Sequence, residues 1–124
     1  MSFETFNYAQ KRVRSIGSRE WKLWFSETEA GLAFRLLTKD SKTDCYVTLQ
    51  GVAALVEGET AIQDDDNGDA YPTDLYTFKD GQGTVAIYLE LDEQGLAWVT
   101  ASGAYGKDDC SFQAPGPLMP EVAG

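Results

Sequence analysis

Glu90 and Asp92 stand two apart at the end of an alternating run, so as strand residues their carboxyl groups would share one face. Paired carboxylates can do general acid–base work where a pocket raises one pKa. Here the pair leads straight into Glu93-Gln94-Gly95 and reads as the soluble end of a strand entering a turn. The chain has no histidine, which removes Ser-His-Asp and Cys-His nucleophile pairs. Cys45 and Cys110, without histidine, match none of the usual zinc spacings. They are expected as thiols, the common state of cysteines in a reducing cytosol. No Walker or dinucleotide-binding glycine pattern occurs; Gly81 and Gly83 lie between two strands and are turn glycines. No catalytic residue, metal site or cofactor is expected, and the chain reads as a binding protein rather than an enzyme.

What remains is charge, and it is unevenly divided. Lys11, Arg12, Arg14, Arg19 and Lys22 face one acid, Glu20, between positions 11 and 22, a window of +4 in a chain of net −10. Residues 57–80 hold eight acids against Lys79, a net −7. Such segregation implies charged partners. The acidic run suits a module that caps a basic surface on another protein, as inhibitors and immunity-type proteins do. In that role Asp64, Asp65, Asp66 and Asp69 would steer association, and Tyr71, Tyr76 or Phe78 would supply the desolvated contact.

The basic run has its own reading. Lys11, Arg12, Arg14, Arg19 and Lys22 beside Trp21 and Trp24 combine phosphate-neutralising cations with aromatic platforms, the ingredients of a single-strand nucleic-acid surface on a small barrel. Against it, Trp21, Leu23 and Phe25 alternate as a core-facing strand does. A third reading pairs the basic hairpin of one copy with the acidic run of another, in a self-associating assembly subunit.

Within the acidic run, Gln63 to Asp74 partly resembles an EF-hand calcium loop, with Asp65, Asn67, Gly68 and Asp74 at its third, fifth, sixth and twelfth positions. The pattern fails at the first position, Gln63, and at the last, where the bidentate Glu is Asp74. A solvated acidic turn is the expectation.

The elements that would hold these residues are mostly strands. Residues 74–79, 84–91 and 96–101 alternate and are separated by Asp80-Gly81-Gln82-Gly83 and Asp92-Glu93-Gln94-Gly95, the pattern of a β-meander. Residues 5–16 and 20–26 form a basic hairpin about Gly17-Ser18, and 45–50 another strand ending near Gly51. Residues 27–38 fit two templates: Ser26-Glu27-Thr28-Glu29 resembles a helix capping box, whereas Leu32, Phe34 and Leu36 alternate. Gly31 would cost a helix about 1 kcal/mol, so a strand is preferred. Residues 57–73 are expected as an acidic loop.

The fold class is therefore mostly β, an antiparallel sandwich or partly open barrel of six to eight short strands with at most one short helix. At 124 residues it makes one globular domain over 1–114, followed by an extended Pro-containing tail over 115–124. No apolar run reaches the length of a membrane span, no membrane partner is expected, and the start of the chain lacks the features of a signal peptide. The expected location is cytoplasmic.

Overall fold

The computed structural model describes Tyr8 and residues 10–43, 45–64, 69–91, 95–106, 111–114 and 116–120. The strands are β1 (Gln10–Ile16), β2 (Arg19–Thr28), β3 (Gly31–Asp40), β4 (Cys45–Asp64), β5 (Asp69–Lys79), β6 (Gly83–Glu90), β7 (Ala97–Gly103) and β8 (Met119–Pro120). From β1 to β7 each pairs antiparallel with its neighbour in sequence. The order across the single sheet is β7-β6-β5-β4-β3-β2-β1-β8. The sheet curls into a partly open barrel, and the helical content of the described residues is one 3₁₀ turn, Ala104–Gly106.

Period-two patterning decides which way each strand faces. In β2, Trp21, Leu23 and Phe25 are buried while Lys22, Trp24 and Ser26 are half-buried on the opposite face. In β6 the buried set is Val85, Ile87 and Leu89. The inward residues of β2, β3, β6 and β7 meet inside the curl, with Leu23, Phe34, Leu36, Val85 and Ile87 fully buried there. Residues 27–38 are strand, as preferred: β2 and β3 form a hairpin about Glu29-Ala30, with the Thr28 hydroxyl donating to the Gly31 carbonyl at 2.9 Å. Gly31 has φ +137°, and a β-carbon there would collide with the Ala53 carbonyl oxygen, so the hairpin end needs glycine.

Three expectations change. β4 does not end at Gly51. A β-carbon at Gly51 would strike the Phe78 ring, which fills that space and packs edge-on to Phe34 at 5.3 Å between centroids. Residues 57–64 and 69–73 are strand rather than loop, while 65–68 lie outside the described residues: β4 runs on to Asp64 and β5 starts at Asp69, with Ile62 opposite Tyr71 and Asp64 opposite Asp69. Thr60, Ile62, Tyr71 and Thr73 supply the β-branched and aromatic character that sustains pairing despite the acids. Of the EF-hand resemblance, Asp65, Asn67 and Gly68 lie outside the described residues, while Gln63 and Asp74 are paired strand positions. Thirdly, Cys45 is disulfide-bonded rather than a thiol. The sequence has one other cysteine, Cys110, which lies outside the described residues.

Of the tail expected over 115–124, residues 116–120 are described, and they are docked on the sheet. Leu118 is fully buried and exchanges both backbone hydrogen bonds with Ala97 of β7, at 3.0 and 2.6 Å. The next two residues pair with β1, Met119 with Val13 and Pro120 with Arg12. Three consecutive residues thus splice the last strand of the meander to the first.

Candidate functional site

Register divides the basic residues between two faces. Residues directly opposite one another share a face of the sheet. Arg12 lies opposite Leu23 and Arg14 opposite Trp21, so both point into the barrel with the core residues of β2. Arg12 Nε donates to the Gly95 carbonyl, and its Nη2 donates to Gln10 Oε1 at 2.8 Å. Arg14 Nη1 donates to the Pro117 carbonyl at 3.0 Å, and Arg19 Nη2 to the Ser111 carbonyl at 3.3 Å. Arg12 also lies over the Phe25 ring and Arg19 over Trp21, each 5.2 Å from the centroid. Burial pushes the Arg12 guanidinium below its ordinary pKa. These three arginines tether the non-strand residues Gly95, Ser111 and Pro117 to the first hairpin, and Trp21 is 3% exposed in the core. Four of the seven residues expected at a nucleic-acid surface are therefore turned inward.

Lys11, Lys22 and Trp24 occupy the outer face, where the structure adds a cation missed in the sequence. Arg35 sits opposite Trp24 in register, and its guanidinium carbon is 5.8 Å from the Trp24 ring, with Lys11 Nζ at 5.3 Å. The alternation of Leu32, Phe34 and Leu36 was the signal that Arg35 faces outward. Lys22 Nζ is 3.3 Å from Glu20 Oε1.

The acidic residues lie on a different part of the fold. β3 pairs with β4 as far as Ala53, opposite Leu32, and β5 pairs with β6 from Thr73. From Ala54 to Thr60 β4 is the edge beside β5, which still pairs with β6, and past Thr60 and Thr73 the two strands continue alone as an arm, residues 61–64 against 69–72. Between Val56 and Thr60 the register shifts in a bulge that holds Glu57, Gly58 and Glu59. The Thr60 hydroxyl donates to the Thr73 carbonyl at 2.6 Å and re-establishes pairing past the bulge. Asp64 and Asp69 end the two strands of the arm, while Asp65 and Asp66 lie outside the described residues.

The expected aromatic contacts divide as well. Tyr71 is half-buried against Trp98, with centroids 5.7 Å apart. Tyr76, 6% exposed, and Phe78 face inward into the core and do not form an exposed contact surface. Where β3 begins and β4 runs on, a cavity of about 420 Å³ opens, bordered by Glu27, Glu29, Gly31, Ala54, Leu55 and Tyr76. Burial, with Glu27 and Asp74 nearby, pushes the Tyr76 phenol up.

Other carboxylates hold turns. Glu90 Oε1 accepts from the Leu96 amide at 3.1 Å, which occupies one member of the carboxylate pair in closing the β6–β7 connection; Asp92 lies outside the described residues. Asp40 accepts from the Ser18 hydroxyl at 2.6 Å and the Lys42 amide at 2.9 Å, and these bonds hold its carboxyl below the usual range. Asp80 accepts from Tyr105 Oη and from the Gln82 amide at 2.8 Å, with the same effect on its carboxyl. The Tyr105 phenol is pushed up to about 12, first by that hydrogen bond. Among the described residues no group of three or more His, Cys, Asp or Glu could hold a metal ion. Among the described residues no helix is long and apolar enough to cross a membrane. Comparison with protein-family models, with curated proteins and with solved structures finds no match for this chain.

Proposed function

We propose that this chain is a small acidic protein-binding module, an inhibitor or immunity-type protein that docks its β4–β5 arm on a basic surface of another protein. The observation that carries the reading is the arm itself. Its strands extend past their β3 and β6 neighbours, and the sequence from Glu57 to Phe78 contains no lysine or arginine. A projecting unit of one sign accelerates encounter with a surface of the opposite sign. Because Tyr76 and Phe78 are core residues, the apolar part of the contact falls to exposed Leu55 and Val56 at the base of the arm and to half-buried Tyr71.

The test reverses Asp64, Asp65 and Asp66 to lysine together and measures association with the protein that the wild type retains from a nuclease-treated lysate. At low salt the association rate should fall by about tenfold or more, with a smaller rise in the dissociation rate. An unchanged association rate removes the arm from the interface.

A second reading rests on the outer face, where Lys11 and Arg35 lie over Trp24, with Lys22 on the same face, and keep a reduced version of the nucleic-acid surface. It predicts quenching of tryptophan fluorescence by single-stranded oligonucleotide, lost steeply with salt. In the assembly-subunit reading this same face receives the arm of another copy, and mass rises with concentration. The compartment expected from the sequence was the cytoplasm. The disulfide at Cys45 favours an oxidising compartment as the place of action.

A further inference from the structure

The notch beside the base of the arm combines three features. The first is backbone. From Leu55 onward β4 pairs with β5 on one side, and no strand among the described residues pairs with its other edge. An unpaired edge presents hydrogen-bonding groups that an extended chain can satisfy. The second is shape. The cavity of about 420 Å³ lies where β3 leaves off, and it is floored by Leu55, 51% exposed, and by the inward Tyr76. The third is charge. Glu27 and Glu29 border the cavity and Glu57 follows on the edge, all exposed, and none has a basic partner among the described ion pairs.

We propose that this notch receives an extended, lysine- or arginine-bearing segment of the partner protein as a short added strand continuing the line of β3. The inference rests on the reading of the chain as an acidic protein-binding module, and it names the chemistry of the segment bound. An apolar side chain of the segment, or the aliphatic stem of a lysine or arginine, lies on Leu55 and Tyr76. The charged heads meet Glu27, Glu29 and Glu57. A second copy of this chain does not fit. Two such edges would bring their own carboxylates together, and the chain's basic segment, Gln10–Ile16, is paired along its length with β2 and capped on its other side by β8 at Arg12 and Val13. The bulge at residues 57–59 limits the addition to the stretch before it, so the contact is short and acts together with the arm.

The probe is a capped peptide of alternating lysine and valine, titrated at low salt against the full chain. Binding is read by fluorescence anisotropy, with hydrogen exchange at the amides of Ala54 to Val56 as the site readout. The peptide should bind and slow exchange there. The double variant Glu27→Lys with Glu29→Lys should weaken it by about tenfold. The same peptide with N-methylated backbone amides keeps its charge but loses donors, and should also bind about tenfold more weakly. A glutamate–valine peptide should not bind. Equal binding by the N-methylated peptide, or no change in exchange at residues 54–56, overturns the added strand. If that happens while reversing Asp64, Asp65 and Asp66 still slows association with the partner, the notch is refuted and the acidic-module reading stands. If both tests fail, both are refuted.

Discussion

Replacing Leu118 by alanine tests whether the C-terminal splice is part of the core. Its side chain is fully buried, and its backbone is held to Ala97 by hydrogen bonds of 3.0 and 2.6 Å. The carbons removed are worth about 2.4 kcal/mol, at about 0.8 kcal/mol per methylene. The cavity left behind adds to this when the walls cannot close, and buried Leu→Ala substitutions span about 2–5 kcal/mol. Here one wall is paired backbone, Ala97 on one side and β1 on the other, so collapse would break the splice. The loss should therefore lie in the upper half of the range, about 4 kcal/mol. With a urea slope of about 2 kcal/mol per molar, the unfolding midpoint falls by about 2 M. Circular dichroism and tryptophan fluorescence in urea measure it. Met119→Ala, one residue on and 55% exposed, is the control and should cost no more than about 0.5 kcal/mol. A loss below about 1 kcal/mol for Leu118→Ala, or equal losses for the two variants, refutes the splice as a structural closure.

Reduction of the disulfide should destabilise the chain by about 4 kcal/mol if Cys45 closes onto Cys110, as the loop-length relation gives for a loop of that size. Thiol titration of the unreduced, unfolded protein should find no free thiol, and two per chain would contradict the bond. Asp40, held below its ordinary pKa by Ser18 and Lys42, contributes stability that is present above the usual carboxylate range and lost as pH falls through its lowered value. The stability gap between wild type and Asp40→Asn should accordingly close in acid; a gap independent of pH contradicts this. Tyr105, raised to about 12, behaves oppositely: its contribution is complete below the ordinary phenol pKa and disappears as pH rises through about 12. Ultraviolet titration should show one fewer late-ionising phenol in Tyr105→Phe than in wild type, and no difference at high pH would remove the Asp80 bond.

The meander was legible because each of its strands has one wet and one dry face, which leaves alternation in the sequence. β6 shows this most plainly, with Val85, Ile87 and Leu89 inward. The arm was misread because its acids stood out over Thr60, Ile62, Tyr71 and Thr73, and because Gly58 and Pro72 read as breaks in any alternation. Gly51 misled for another reason: its space is filled by Phe78, which lies far along the chain. The arginines illustrate the limit for the site. Their clustering was visible, but their direction depended on a register, Arg12 opposite Leu23 and Arg14 opposite Trp21, and on carbonyl partners beyond residue 94. Local spacing carries neither.

The splice also sets an order of events during synthesis. β1 to β7 are joined hairpin by hairpin and can pair as they emerge from the ribosome, since each contact is local. The seam cannot close until Leu118, Met119 and Pro120 have cleared it, because Val13 and Met119 lie at opposite ends of the described chain. Until then β1 is an open edge, a template for pairing with neighbouring nascent chains. Arg12 and Arg14 point inward from that edge, and an inward charge with no carbonyl yet to receive it resists being covered by another strand. The same arginines that latch the finished barrel would thus guard the unfinished one. Substituting them with neutral residues should lower soluble yield more than it lowers the stability of the protein once folded.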